Sequence, residues 1–198
     1  TLKELQLGSE RIEGLRDQIR IATEQAQKFA IALSEKRRET ATQLESLIEG
    51  ELHTLGMEKA VFQILVRPIE SPDGILQIDG KHYELKADGM DEIEFLISPN
   101  VGSEPKPLAK IASGGEISRV MLALKTVLAR IDNIPTMVYD EVDVGIGGHT
   151  ADIVGQKLKE LARFHQVICI THLPQIARLA DRHFRVEKHV EDHRTIIT

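Results

Sequence analysis

Tryptophan is absent and aromatic residues make up only 4% of this 198-residue sequence. A protein that holds single strands by stacking bases on rings needs more platforms than that. Acidic residues outnumber basic ones and the formal net charge is −6, which excludes a bulk polyanion binder. Any nucleic-acid contact must come from a local patch or from another part of a larger protein. Lys36-Arg37-Arg38 and Lys106 with Lys110 are candidates for such a patch, with plain charged surface the preferred reading. There is one cysteine, Cys169, set among Val167, Ile168 and Ile170, so no internal disulfide is possible. A buried, inert thiol in a reducing cytoplasm is the expectation. No apolar run is long enough to span a bilayer and no signal-like start is present, so no membrane partner is expected. The chain starts at Thr1 rather than at methionine and stops at Thr198 inside an alternating stretch, so it reads as a fragment.

What is present suffices for one or two domains, since 41% of the residues are hydrophobic. Leu5, Ile12, Ile19, Ala26, Leu33 and Leu47 keep a seven-residue frame, and Leu15, Ala22 and Phe29 fall three places after members of it. This is the a/d seam of a coiled coil, interrupted at Gly8, Lys36 and Thr40. The spacing predicts one long helix over residues 1 to about 50, roughly 70 Å at 1.5 Å per residue, within a coiled-coil segment 1–55. Such a helix needs an antiparallel partner, or else it lies on the globular part. Short β candidates follow over 60–98, with a hairpin signal at Asp79-Gly80, and together they predict a small antiparallel β lobe. Residues 99–110, rich in proline, read as a loop. An amphipathic helix then carries Ile117, Val120, Met121, Leu124, Leu128 and Ile131. Buried strands at 135–139 and 166–170 flank a helix at 149–163, which indicates a parallel α/β sheet. A short helix from about Leu173 to Ala180 and a closing hairpin at 184–190 and 195–198 complete the reading.

Three clusters sit at element ends, where ligands bind in open α/β sheets. Ser113-Gly114-Gly115-Glu116 opens the amphipathic helix. Ser113 and Glu116 have capping-box spacing, and the glycines leave amides uncovered for an anion. The same residues also suit an ordinary capped helix. The strand Thr136–Tyr139 delivers Asp140-Glu141. In phosphoryl transfer a strand-end Asp holds Mg²⁺ and a neighbouring carboxylate can orient or deprotonate water. Two exposed acids of a turn would look alike. His172 ends the second strand, as a donor to a terminal phosphate or as a surface residue. No other histidine shows metal-ligand spacing, and no stretch reads G-x-x-x-x-G-K-[ST], because Gly80-Lys81 is followed by His82.

The order of these clusters is that of an ABC-type ATPase. Pro107–Arg119, Tyr139–Gly148 and Ile170–Ala177 resemble the SMC-like ATPases of bacterial double-strand-break repair by recombination, and the Asp143-Val144-Gly145-Ile146-Gly147-Gly148 loop is distinctive within that group. The likeness covers about residues 90–190. It implies the C-terminal half of an ABC-type P-loop ATPase head over 56–198, with the β lobe at 60–98 and the signature helix and sheet at 111–198, preceded by the end of a coiled coil. It implies a cytoplasmic, nucleoid-associated protein, with ATP and Mg²⁺ as cofactors. Its expected partners are a second head joined through ATP, an N-terminal half that carries the phosphate-cradling lysine, and DNA. It also implies roles: Ser113, Gly114 and Gly115 contact the γ-phosphate of ATP on the opposite head, Asp140 supports Mg²⁺, and Glu141 acts on water. Asp143 matches the loop that crosses the dimer interface, and His172 matches the switch histidine.

Overall fold

The computed structural model describes residues 2–99, 102–110, 113–186, 188–191 and 194–197, with only the backbone course given for 2–7 and for the last two segments. Helix α1 (Leu2–Thr54) runs unbroken for 53 residues and ends at Gly56, whose φ of +77° is a conformation that costs glycine little. The chain divides into two compact units. Residues 2–47 of α1 belong to the first and residues 48–54 to the second.

In the first unit α1 is joined by strands β1 (Val61–Pro68), β2 (Leu76–Ile78), β3 (Lys81–Tyr83), β4 (Asp91–Ser98) and β5 (Lys106–Pro107). β1 and β4 pair antiparallel over their full length, from Val61 opposite Ser98 to Pro68 opposite Asp91. β2 and β3 form the expected hairpin. Asp79 and Gly80 both take positive φ (49° and 79°), as a two-residue turn of the right twist requires. The expected loop over 99–110 is corrected. Lys106 and Pro107 pair with Ile97 and Leu96 as a third strand, and Leu108–Lys110 form a 3-10 turn. Proline is tolerated there because β5 lies at the sheet edge.

Two stripes run along α1. The a/d seam is exposed in this chain: Ile19 is 66% and Phe29 76% accessible, and Ile12, Leu15 and Leu33 are also exposed. Leu5 lies where side chains are outside the described residues. A second stripe is buried, with Ala30, Ser34 and Ala41 in the first unit and Ile48, Leu52 and the following Leu55 in the second. Ser34, Ala41, Ile48 and Leu55 repeat every seven residues, one position after the seam frame. Its polar members are paired. Ser34 Oγ donates to Asp91 Oδ1 at 2.7 Å, Arg37 Nη1 to Asp91 Oδ2 at 3.1 Å and Arg37 Nη2 to the Asp88 carbonyl at 2.6 Å. Glu45 accepts the Ile64 amide of β1 at 2.6 Å. Arg37 is thereby committed to the fold, and Lys36 pairs with Glu39, so two members of the basic triplet already have partners.

The second unit holds α2 (Gly114–Leu128), β6 (Thr136–Tyr139), α3 (Gly148–Leu161), β7 (Gln166–Cys169), α4 (Pro174–Ala177), β8 (Lys188–Glu191) and β9 (Arg194–Ile197). β6 and β7 are parallel, with Thr136 opposite Gln166 and Tyr139 opposite Cys169. β8 and β9 make an antiparallel hairpin that begins after residues 184–186, which are not strand, and Thr198 is outside the described residues. The expectation that β6 and β7 are buried is corrected to one face. Met137 and Tyr139 are inside, while Val138, Ile168 and Ile170 face outward, Val138 at 63%. Successive side chains of a strand point to opposite faces, so an apolar run is hidden only where both faces are covered. Cys169 is half-buried, and burial pushes its thiol up to about 11, which keeps it protonated and unreactive at neutral pH. Among the described residues no helix is long and apolar enough to cross a membrane.

The Asp91 carboxylate has no exposed side-chain surface and receives both Ser34 and Arg37. Asp91→Ala should therefore cost about 3–5 kcal/mol, as breaking one side of a buried ion pair does. On the exposed seam Ile19→Gln should change stability by less than about 0.5 kcal/mol. Urea denaturation of the two variants checks both, and equal midpoints would show that the helix does not depend on this pair.

Candidate nucleotide site

Ser113 is the N-cap of α2, with φ −98° and ψ 120°, and its hydroxyl accepts the Glu116 amide at 3.4 Å. Ala112, next to it, is outside the described residues. The two glycines that follow are packed rather than merely flexible. A Cβ on Gly114 would overlap the Glu141 carboxylate. One on Gly115 would lie 3.1 Å from the Glu141 carbonyl oxygen and 3.1 Å from Val144 Cβ, tighter than ordinary contact. The start of the helix therefore abuts the segment that leaves β6.

That segment turns sharply. Asp140 follows Tyr139 and is exposed. Its Oδ1 accepts the Glu141 amide at 2.9 Å, and its carbonyl accepts Ser118 Oγ at 2.6 Å. Glu141 has φ +57°, a left-handed conformation that is uncommon for a residue with a side chain and that clusters at functional turns. Its carboxylate is exposed beside Gly114. After the turn Val142 and Asp143 point inward, Asp143 with 3% of its surface accessible. The Arg119 guanidinium of α2 donates through Nη1 to the Val144 carbonyl at 2.8 Å, and burial lowers its pKa despite the opposing pull of Glu116.

Asp143 joins this turn to the end of β7. Its Oδ2 accepts Thr171 Oγ1 at 2.5 Å and the His172 amide at 3.1 Å, and it lies 3.2 Å from His172 Nδ1. Thr171 Oγ1 in turn accepts the Leu173 amide at 3.1 Å. The His172 ring is mostly exposed. Burial raises the pKa of Asp143, and the hydrogen bonds from Thr171 and His172 outweigh it, so the carboxyl ends below its usual value.

All seven expected site residues thus belong to one unit: Gly114 and Gly115 lie against Glu141, Asp140 is bonded to the α2 helix that Ser113 caps, and Asp143 is bonded to His172. Asp143 is turned toward its own His172 and is enclosed. Three supporting residues were not singled out from the sequence: Ser118, Arg119 and Thr171. Ser118 and Arg119 fall five and six positions after Ser113, on the turn of α2 that reaches the end of β6, and that spacing is the signal that could have found them.

A carboxyl whose folded pKa is depressed adds stability above its unfolded pKa, about 3.9, and that stability is lost as pH falls through the lowered folded value. Asp143→Asn should therefore flatten the loss of stability below about pH 4 relative to the unsubstituted chain. Urea midpoints measured down a pH series decide this, and identical slopes would mean that Asp143 contributes nothing to acid lability.

No protein-family model matches the chain. The DNA repair protein RecN of Treponema pallidum is 49% identical over 159 residues, covering 79% of this chain and 26% of that protein. RecN of Streptomyces coelicolor is 44% identical over 160 residues, covering 81% of this chain and 28% of the relative. The chain thus spans less than a third of the length of these relatives. Among solved structures, an Smc head domain with a coiled coil and joint from Pyrococcus yayanosii matches with a TM-score of 0.50 at 19% identity, covering 82% of this chain and 27% of that one. The chain is therefore RecN-like: it shares its sequence with a stretch of that DNA repair protein and its fold with an Smc head.

Proposed function

We propose that this chain supplies the water-handling and magnesium-handling side of an ATP-hydrolysing head, within a RecN-like protein of recombinational double-strand-break repair. The observation that carries the reading is the meeting of Asp140-Glu141, the Ser113–Gly115 helix start and His172 at the ends of two parallel strands. In this reading residues 1–55 are the end of a coiled coil, and residues 56–198 are the half-head. The helix start, with its glycines and free amides, takes the terminal phosphate of ATP bound to a second head. Asp140 keeps one carboxylate oxygen clear of the Glu141 amide and would hold Mg²⁺, which supplies charge neutralisation at the phosphates. Among the described residues no three carboxylates, histidines or cysteines gather as a full protein cage. That suits Mg²⁺, which keeps waters and phosphate oxygens as ligands. Glu141, held out by its left-handed backbone, orients water and takes its proton. His172 would donate to the terminal phosphate.

The phosphate-cradling lysine loop has no match in this sequence and would come from an N-terminal half. ATP would then bridge two heads, each completing the other's site, with DNA held by the dimer and its coils, in a cytoplasmic, nucleoid-associated protein. The isolated chain should hydrolyse no ATP. In a RecN-length protein that carries it, Glu141→Gln should lower turnover about 10²–10⁴-fold, the range for a lost general base. Steady-state phosphate release measures this, and unchanged turnover would remove Glu141 from the mechanism.

A further inference from the structure

A serine or threonine inside a helix often turns its hydroxyl back to the carbonyl four residues before it. Thr126 of α2 does so, and so do Thr40, Thr42 and Ser46 of α1. Ser118 does not. Its Oγ reaches out of α2 and donates to the Asp140 carbonyl at 2.6 Å. The carbonyls on either side are held by other means: Tyr139 accepts the Ile170 amide at 2.9 Å, and Glu141 accepts the Val144 amide at 3.1 Å. The Asp140 carbonyl, where the chain leaves β6, is thus tied to a side chain of the helix.

That carbonyl shares one planar unit with the Glu141 amide. In a trans peptide the two point in opposite directions, so fixing one aims the other. The amide is aimed at Asp140 Oδ1, 2.9 Å away. Asp140 is exposed, so its carboxylate is set by this hydrogen bond rather than by enclosure. Turning the plane over would bring the Asp140 carbonyl oxygen to where the amide now stands, against its own carboxylate. It would also carry the φ of Glu141 from +57° into the ordinary negative range. A residue with a Cβ favours the negative range, so the plane needs a hold on it to stay as it is.

We propose that Ser118 is a positioning residue for Asp140. Its hydroxyl fixes the Asp140–Glu141 peptide plane, the plane aims the Glu141 amide at Oδ1, and Oδ2 is the oxygen left for Mg²⁺. This rests on the ATPase reading for its purpose but not for its geometry. Arg119, the next residue of α2, holds the Val144 carbonyl at the far end of the same turn at 2.8 Å. Loss of the Ser118 hydroxyl therefore frees one end of the turn and leaves the other attached to the helix.

Two readouts test this. Three-bond HN–Hα couplings and backbone carbon shifts on the 198-residue chain report the φ of Glu141. The unsubstituted chain should give left-handed values, and Ser118→Ala should shift them to those of a negative φ. Ser118→Thr keeps the hydroxyl and should retain the left-handed values. A negative φ in the unsubstituted chain would overturn the proposal, and that result does not depend on any variant folding. A left-handed Glu141 in Ser118→Ala would overturn it as well. In the RecN-length protein, the Mg²⁺ concentration for half-maximal turnover should rise about ten- to a hundredfold in Ser118→Ala, the size expected when a partner that orients a metal ligand is lost. Ser118→Thr should bring it back close to the original value. Lower turnover with an unchanged Mg²⁺ requirement would show that Ser118 acts through something other than Asp140, and would also overturn the proposal. Full turnover of Asp140→Ala would instead remove Asp140 from hydrolysis, and the positioning role with it. The φ of Glu141 then separates that failure of the ATPase reading from a failure of the geometry.

Discussion

Two parallel strands have no covalent reason to end in register with each other's loops. In this chain β6 and β7 pair in register, and the Asp143 carboxylate ties the loops that follow them. It leaves the turn after β6, is buried, and takes hydrogen bonds from Thr171 and His172 at the end of β7. A buried carboxylate is costly unless its lone pairs are filled, so this tie resists a shift of the turn against the end of β7. Next to this tie Glu141 takes the left-handed backbone, and its carboxylate lies beside Gly114. The absence of a side chain at Gly114 and Gly115 is then a packing requirement as well as an opening for an anion. Both demands meet at the same residues, and a phosphate at the helix start would come directly against the Glu141 carboxylate.

The first unit depends on a comparable constraint. Asp91 of β4 holds Ser34 and Arg37 of α1, and Glu45 takes the Ile64 amide of β1. These polar contacts orient the helix so that its apolar seam, with Ile12, Leu15, Ile19, Phe29 and Leu33, remains outside. The helix carries two stripes one heptad position apart: one anchors it, and the other is exposed. Val138, Ile168 and Ile170 on the open face of the parallel pair show the same incompleteness in the second unit. A sheet of two parallel strands is far below the usual size, and such a face is normally covered.

Much of this was legible in the sequence because it rests on local chemistry. The seven-residue frame, the Asp79-Gly80 turn, the Ser113 cap and the strand–acid junction at Asp140 each need only near neighbours to be recognised. What was not legible depends on distant partners. The buried stripe of α1 contains Ser34, Arg37 and Glu45, which look solvated until Asp91 and Ile64 are brought to them from 19 to 57 residues away. β5 was hidden by its prolines, because edge pairing through Lys106 cannot be seen without β4. The apolar strands suggested burial on both faces, whereas this chain covers one. The enclosure of Asp143 accompanies a positive φ at Glu141, which no propensity at that position announces.

The central claim is that Ser113 and Glu141 act on two different ATP molecules shared by two heads. Mixing variants of the RecN-length protein tests it most directly. Ser113→Arg and Glu141→Gln should each lower turnover alone by at least about a hundredfold. In a mixed dimer one site would contain an intact Ser113 and an intact Glu141, and the other would contain neither. Equal mixing of two dead proteins should therefore restore about a quarter of the sites, since half of the dimers of a randomly exchanging symmetric pair are mixed. A mixture as inactive as its components would contradict the account.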